Sequence, residues 1–205
     1  MNEKILKVVK ELREKSKKRN FPQGFDLIVN LKELDLKKAE NKFSEDVVLP
    51  HGRGENASVI VFSDSVKEVG ADVLSSGEIE KFARDKREAR KISNGTDFFL
   101  ADVKLMPLVG KNLGQFLAPR GKMPKIISGD LKSLVENYKK SVRIKVKDSP
   151  VIQCSVGNEK MKDDEVAENV EAILRFLESR LPKGKHNIKE VLLKMTMGQP
   201  VKVGV

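Results

Sequence analysis

The sequence predicts a mixed fold: an α+β domain built from both ends of the chain, interrupted by an inserted α/β domain. The two ends carry similar kinds of helix and strand patterns, and each is too short to bury a good core alone. Between them, short apolar runs alternate with amphipathic helical patterns, which is typical of a mostly parallel sheet covered by helices. We therefore assign residues 1–62 and 151–205 to a split domain and residues 63–150 to the insert.

The N-terminal part predicts one helix and two strands. Apolar residues recur at helical spacing from Ile5 to Leu12, which predicts a helix over residues 3–16. Alternating apolar residues predict a strand over 25–31, and a second short strand covers 47–49 before a turn rich in glycine.

The middle of the chain predicts the alternation of strands and helices. The expected strands, three short apolar runs, cover residues 59–62, 71–74 and 98–101. The expected helices cover residues 65–70, 78–90, 104–117 and 131–138.

The C-terminal part predicts strands around one long helix. Asp163 or Asp164 is well placed to cap that helix, which extends to Leu177. The expected strands cover residues 142–146, 151–156, 188–195 and 201–205.

Positive charge is concentrated at the two ends of the chain. The net charge of the 205 residues is +10, and residues 1–20 hold eight basic against three acidic residues. Residues 180–205 hold six against one, so each end contributes an excess of five. Such a surface attracts phosphate backbones, although a charge run can also be only a solvated face. Without a signal peptide or a membrane-length apolar run, we expect a cytoplasmic protein with no membrane partner.

Signatures of catalysis are missing from the sequence. A dinucleotide site requires a glycine-rich turn after its first strand, but no glycine follows the strand that ends at Phe62. Neither a P-loop nor a nucleophile elbow occurs in the sequence. One cysteine and two histidines cannot form a zinc site of the usual kind. We therefore expect no enzyme, no cofactor and no metal, and we expect Cys154 to be a small buried hydrophobe.

Two glycine-bearing segments and one aromatic residue are candidates for contact with a nucleic acid. Residues 117–124 form a rigid basic loop that faces RNA or merely connects helices. In residues 194–200, Gly198 permits close approach to a ligand, although an ordinary hairpin turn fits as well. Phe21 follows four polar or basic residues and either packs on a nucleotide or belongs to the core.

Six short motifs, in order along nearly the whole chain, resemble those of the large-subunit ribosomal protein L-one family, in its archaeal type. They span Asn20 to Gln23, Val48 to Gly54, Asp97 to Ala101, Ala118 to Pro124, Val156 to Met161 and Thr196 to Gly198. The sequence departs from the family at Ala118, where glycine is usual, and at Gln199, where proline more often follows the glycine.

The resemblance implies a split RNA-binding domain and an inserted Rossmann-like domain with three layers and no nucleotide. It also implies binding to the stalk of large-subunit rRNA in the ribosome, contact with exit-site tRNA to assist its release, and repression through the protein's own mRNA leader. We expect a monomer when the protein is free. The residues expected to bind RNA in the split domain are Lys17, Lys18, Arg19, Phe21, Asp26, Gly157, Lys194, Thr196, Met197 and Gly198. A second contact is expected from Arg120 and Lys122 of the insert.

Two other classes of protein remain open at this stage. An RNA-modifying enzyme with a Rossmann-like catalytic domain would need a cofactor cradle. A structural protein whose basic ends bind acidic partners without specificity would not distinguish stalk rRNA from an unrelated duplex.

Overall fold

A computed structural model describes residues 2–66 and 70–204 of the chain, without the side chain of Asn2. In chain order these residues form α1 (Asn2–Lys15), β1 (Gly24–Leu31), β2 (Phe43–Val48), β3 (Val59–Phe62), β4 (Asp72–Leu74), α2 (Ser76–Arg84), α3 (Lys86–Gly95), β5 (Phe98–Ala101), α4 (Met106–Leu117), β6 (Lys125–Ile126), α5 (Leu131–Lys139), β7 (Ser141–Val146), β8 (Val151–Asn158), α6 (Asp163–Arg180), β9 (Ile188–Met195) and β10 (Val201–Val203).

The chain divides into two compact units, and their boundaries differ from those expected from the sequence. Met1–Asn56 and Lys140–Val205 form the split unit, and Ala57–Lys139 form the insert. Strand β3 belongs to the insert because it pairs in parallel with β4 and β5. Strand β7 belongs to the split unit because it pairs with β2. Apolar runs predict strands but do not reveal their partners, which is why the expected boundaries at 62/63 and 150/151 were wrong.

In the split unit, an antiparallel sheet has the strand order β10-β9-β1-β8, and β2 and β7 form a separate ribbon. Strand β1 alternates strictly between buried and half-buried residues. Its buried side chains, from Phe25 to Leu31, share one core with apolar side chains of α1 and α6. The opposite face of β1 presents Asp26, Ile28 and Asn30, each half-buried.

One buried amide fixes the turn that follows β2. The Nδ2 of Asn169, on α6, donates to the carbonyl oxygens of Gly52, at 2.6 Å, and Val156, at 2.9 Å. Its Oδ1 accepts the N–H of His51 at 3.1 Å. Because every polar atom of this fully buried side chain is satisfied, the turn is attached firmly to the core of the split unit.

The insert is a three-layer α/β unit, which confirms the predicted fold class. Its parallel strands lie in the order β4-β3-β5-β6. Alternate residues of the buried strands β3 and β5 face opposite sides, so that one core contains α2, α3 and α4 and the other contains α5. The ends of the insert meet, since the N–H of Ala57 donates to the carbonyl of Lys139 at 2.9 Å.

Three local expectations differ from the structure. The helix expected over 78–90 is two helices, because the side chain of Asp85 accepts the N–H groups of Arg87 and Glu88 and starts α3. Neither Asp163 nor Asp164 caps α6; both lie in its first turn after Lys162. For the helix expected over 65–70, residues 67–69 lie outside the described residues, and the residues described on either side are not helical.

Candidate RNA-binding surface

The end of β9 is joined to the start of β1 by Thr196 and Gly24. The hydroxyl of Thr196 accepts the N–H of Gly24 at 3.0 Å and lies 3.2 Å from its carbonyl oxygen. The N–H of Thr196 donates to the same carbonyl at 3.0 Å. Thr196, which is expected from the sequence to bind RNA, therefore also serves the fold through its hydroxyl.

Two large apolar side chains are exposed beside this junction. The side chain of Phe21 is 47% exposed, which excludes the alternative that it belongs to the core. Met197 is 61% exposed at the turn between β9 and β10. Phe21 also lines a shallow notch with Arg19, Glu159 and Lys160. Exposed apolar groups next to basic residues suit the sugars and bases of RNA.

A basic loop lies between α1 and β1. Lys17, Lys18 and Arg19 are exposed, and none has an ion-pair partner within residues 2–66 and 70–204. They follow the C-terminal end of α1, where the helix dipole favours cations. The three charges are thus available to phosphate groups.

The open face of the sheet pairs an acid with a base. Asp26 lies across from Lys194 on β9 and from Ser155 on β8. Burial raises the pKa of Asp26, and the charge of Lys194 partly opposes that shift. When it is ionised, the side chain of Asp26 is a hydrogen-bond acceptor opposite the basic Lys194. Burial of Cys154, together with the charge of Asp26, raises the pKa of its thiol to about 12. This confirms an unreactive buried thiol.

The two glycines expected to bind RNA differ in what the fold requires of them. Gly157 is buried, and a Cβ there would lie 3.0 Å from Cγ2 of Val166 and 3.2 Å from Sδ of Met161. The structure therefore gives Gly157 a packing role beneath the surface. At Gly198 a Cβ would lie 3.4 Å from the nearest atom, the Cβ of Met195, which is ordinary contact.

The two basic residues expected in the insert also differ from each other. The ammonium of Lys122 donates to the carbonyl oxygens of Ser93, at 3.1 Å, and Thr96, at 2.6 Å, so it binds the end of α3. Arg120 is exposed and lines a shallow notch that Arg90 borders as well. Ala118 has helical backbone angles, so the family's usual glycine is not needed there.

Gln23, which the sequence-based site did not include, links the segments of this surface. Its side chain is 1% exposed. Its Nε2 donates to Oγ of Ser16 at 2.9 Å and to the carbonyl of Lys17 at 3.2 Å, and its Oε1 accepts the N–H of Met197 at 3.4 Å. A buried polar residue next to an exposed phenylalanine has no signal in the sequence beyond its place in the Asn20–Gln23 motif.

Glu159 and Arg13, also missing from the predicted site, hold the turn after β8. The carboxylate of Glu159 accepts the N–H of Gln23 at 3.1 Å, and its own N–H donates to the Gln23 carbonyl at 2.8 Å. The guanidinium of Arg13 donates to the carbonyls of Glu159, at 2.7 Å, and Met161, and pairs with Asp163 at 2.6 Å.

Neither a metal centre nor a membrane-spanning helix is found in the part of the chain that the structure describes. No cluster of three or more histidine, cysteine, aspartate or glutamate side chains within it could hold a metal ion. None of its helices is long and apolar enough to cross a membrane. At the carboxyl ends of β3 and β5, where a doubly wound sheet would bind a nucleotide, the chain presents Ser63, Asp64 and Asp102.

Comparison with known proteins identifies the family. The model of the family described as "Ribosomal protein L1p/L10e family" matches residues 12–199. The chain belongs to this family, as its motifs predicted.

Curated relatives extend the likeness over almost the whole chain. It is 44% identical to the "Large ribosomal subunit protein uL1" of Pyrococcus abyssi, covering 98% of this chain and 95% of the relative. It is 46% identical to the protein of that name from Methanothermococcus thermolithotrophicus, covering 98% of each. The protein of that name from Methanobrevibacter smithii is 42% identical, over 99% of this chain and all of the relative. These matches confirm the archaeal type, and because all three are named as ribosomal proteins, they confirm that the chain is not an enzyme.

Proposed function

We propose that the split unit binds the stalk helices of large-subunit rRNA, near the tRNA exit site, through the surface at the start of β1. The observation that carries this proposal is that three separate chain segments lie together there: the basic loop between α1 and β1, the turn after β8, and the 196–198 turn. The segments expose Phe21 and Met197 beside the exposed charges of Lys17, Lys18 and Arg19. Membership of a ribosomal protein family makes rRNA the natural partner.

In this proposal each kind of group has a separate task. The lysines and the arginine attract phosphates, which supplies affinity that depends on salt. Asp26 and the carbonyl groups of the 196–198 turn accept hydrogen bonds from RNA hydroxyls and base edges, because the three N–H groups of that turn already donate within the protein. Phe21 and Met197 pack on sugars or bases. The fixed contacts supply selectivity for one RNA shape.

The insert provides a second, weaker contact in the same proposal. Arg120 and Arg90 border a notch with Gln115, and no acidic residue lines it. Lys122 no longer belongs to this contact, because its ammonium binds two carbonyl groups of the insert itself. A pair of guanidinium groups suits the RNA backbone.

The finer functions rest on the family resemblance. We propose that the ribosome-bound protein, in the cytoplasm, assists the release of deacylated tRNA. We also propose that the free monomer represses translation of its own operon by binding a similar RNA fold in its mRNA leader.

A footprint tests the proposed function. The wild-type protein is bound to full-length large-subunit rRNA, and backbone cleavage by hydroxyl radicals is mapped. We expect protection confined to the stalk helices, and competition by a stalk transcript but not by an unrelated duplex of equal length. Diffuse protection, or equal competition by both RNAs, would support a non-specific basic protein instead.

A further inference from the structure

We infer that Gln23 is a positioning residue for RNA binding, because its buried amide sets the relative placement of the three segments that form the surface. The inference rests on the proposed function. It assigns to Gln23 no contact with RNA, since the side chain is buried.

The hydrogen bonds of Gln23 reach every segment of the surface. Its side chain binds the basic loop at Ser16 and Lys17 and the 196–198 turn at Met197. Its backbone N–H and carbonyl both bind Glu159, in the turn after β8. These partners lie between 6 and 174 residues from Gln23 along the chain. Phe21, two residues before Gln23, and Gly24, the residue after it, belong to the surface themselves.

Only an amide of this length satisfies all three side-chain contacts. Nε2 supplies two donors, which the Ser16 hydroxyl and the Lys17 carbonyl accept. Oε1 supplies the acceptor for the Met197 N–H. A carboxylate could accept from Met197 but could not donate to the Lys17 carbonyl. A methionine would fill the space and make none of these bonds.

The consequence for binding follows from preorganisation. A ligand that needs all three segments in one arrangement binds with an affinity proportional to the population of that arrangement. Gln23 keeps that population high in the free protein. Without it, the basic loop and the Met197 turn can move independently, while the core beneath them stays folded.

The test uses two variants of the full chain, Gln23→Met and Gln23→Glu, and a stalk rRNA transcript. At about pH 8 we expect both to bind about tenfold more weakly than wild type, if roughly a tenth of molecules hold the binding arrangement. Burial raises the pKa of the introduced carboxyl group, so it becomes protonated on acidification and regains a donor. The affinity of Gln23→Glu, relative to wild type at the same pH, should therefore recover toward about pH 5, whereas that of Gln23→Met should not.

A second readout is independent of RNA. Amide hydrogen exchange at Met197 should accelerate in Gln23→Met, while exchange along β1 stays slow. Ile188→Val, at the far end of the same sheet, is the control for a small loss of stability and should leave both affinity and Met197 exchange unchanged.

The outcomes separate this inference from the proposed function. If the wild type does not select stalk rRNA, the proposed function fails, and the exchange measurement still decides whether Gln23 holds the Met197 turn. If the wild type selects the RNA but both Gln23 variants bind as tightly, the positioning role is wrong. A pH-independent affinity ratio for Gln23→Glu contradicts it as well.

Discussion

At the scale of single residues, no feature of the free protein requires a glycine at position 198. Its φ lies outside the left-handed region, unlike those of Gly52 and Gly54, and a side chain there would meet only ordinary contacts. The space beside the Gly198 backbone is therefore available to a ligand. In the proposed function, the RNA backbone comes close at this position.

Gly198→Ala should therefore separate stability from binding. We expect the free energy of unfolding to stay the same or to rise by about 0.4–1 kcal/mol, because alanine restricts the unfolded chain. Binding to stalk rRNA should weaken by about tenfold or more, or about 1.4 kcal/mol, because the methyl group blocks close approach. Urea unfolding and filter binding measure the two effects.

Gly54→Ala is the matched control for a glycine that the fold requires. Its φ is +88°, and a Cβ would lie 2.8 Å from that of Asn158, so this variant should lose stability. If Gly198→Ala binds stalk rRNA normally, RNA does not approach that turn closely.

Asp26 gives a prediction about pH. Burial raises its pKa in the folded protein above the ordinary value of 3.8, so the folded state holds a proton more tightly than the unfolded chain. This residue's contribution to stability therefore falls as pH rises from 3.8 through the raised pKa. Asp26→Asn should remove that dependence and raise the urea midpoint at neutral pH.

The same variant should bind RNA less well. An amide in place of the carboxylate loses hydrogen bonds to a charged acceptor, which contribute about 1.5–3 kcal/mol each. Selectivity for stalk rRNA over an unrelated duplex should fall even though a negative charge has been removed. Tighter binding to both RNAs would mean that Asp26 only repels phosphates.

At the scale of elements, the sequence predicted the strands that have a local apolar pattern and missed those that form only through pairing with another strand. The buried runs at 59–62 and 98–101 are strands as predicted, because central parallel strands are apolar on both faces. The two-residue strand β6 has no such pattern, since both its residues are exposed.

The site shows the same division between local pattern and tertiary contact. Exposure of Phe21 and Met197 agrees with the motifs that mark them. The structural roles of Lys122 and Gln23 arise from atoms brought together by tertiary folding, which no spacing along the chain reveals.

The basic loop between α1 and β1 should govern the salt dependence of binding. Replacing Lys17 and Lys18 with alanine should reduce the magnitude of the negative slope of log affinity against log salt by about 1.4–1.8, at about 0.7–0.9 for each lost phosphate contact. Stalk and unrelated RNA should both bind more weakly, because phosphates carry no sequence.

The control removes the same charge elsewhere in the split unit. Lys37 and Lys38 are exposed in the loop that follows the other end of β1. Their replacement with alanine should leave the slope close to that of the wild type. Equal slopes for the two double variants would show that long-range charge, and not contact by Lys17 and Lys18, determines the salt dependence.

At the scale of the whole molecule, the split unit contains both basic ends of the chain and the complete surface at the start of β1. Residues 1–20 and 180–205 both belong to it. The insert begins and ends at residues that are hydrogen-bonded to each other, Ala57 and Lys139. Its removal should therefore require only a short connection between Asn56 and Lys140.

The most direct test of the central claim, that the split unit recognises RNA, is to divide the molecule at these boundaries. Residues 57–139 are replaced with a short Gly/Ser linker, and the insert is prepared alone, with circular dichroism to confirm that both are folded. Filter binding then compares a stalk transcript with an unrelated duplex. We expect the linked split unit to select the stalk transcript, with some loss of affinity, and the insert to bind both RNAs weakly and only at low salt. Selective binding by the isolated insert, with none by the folded split unit, would show that the insert and not the split unit recognises the RNA.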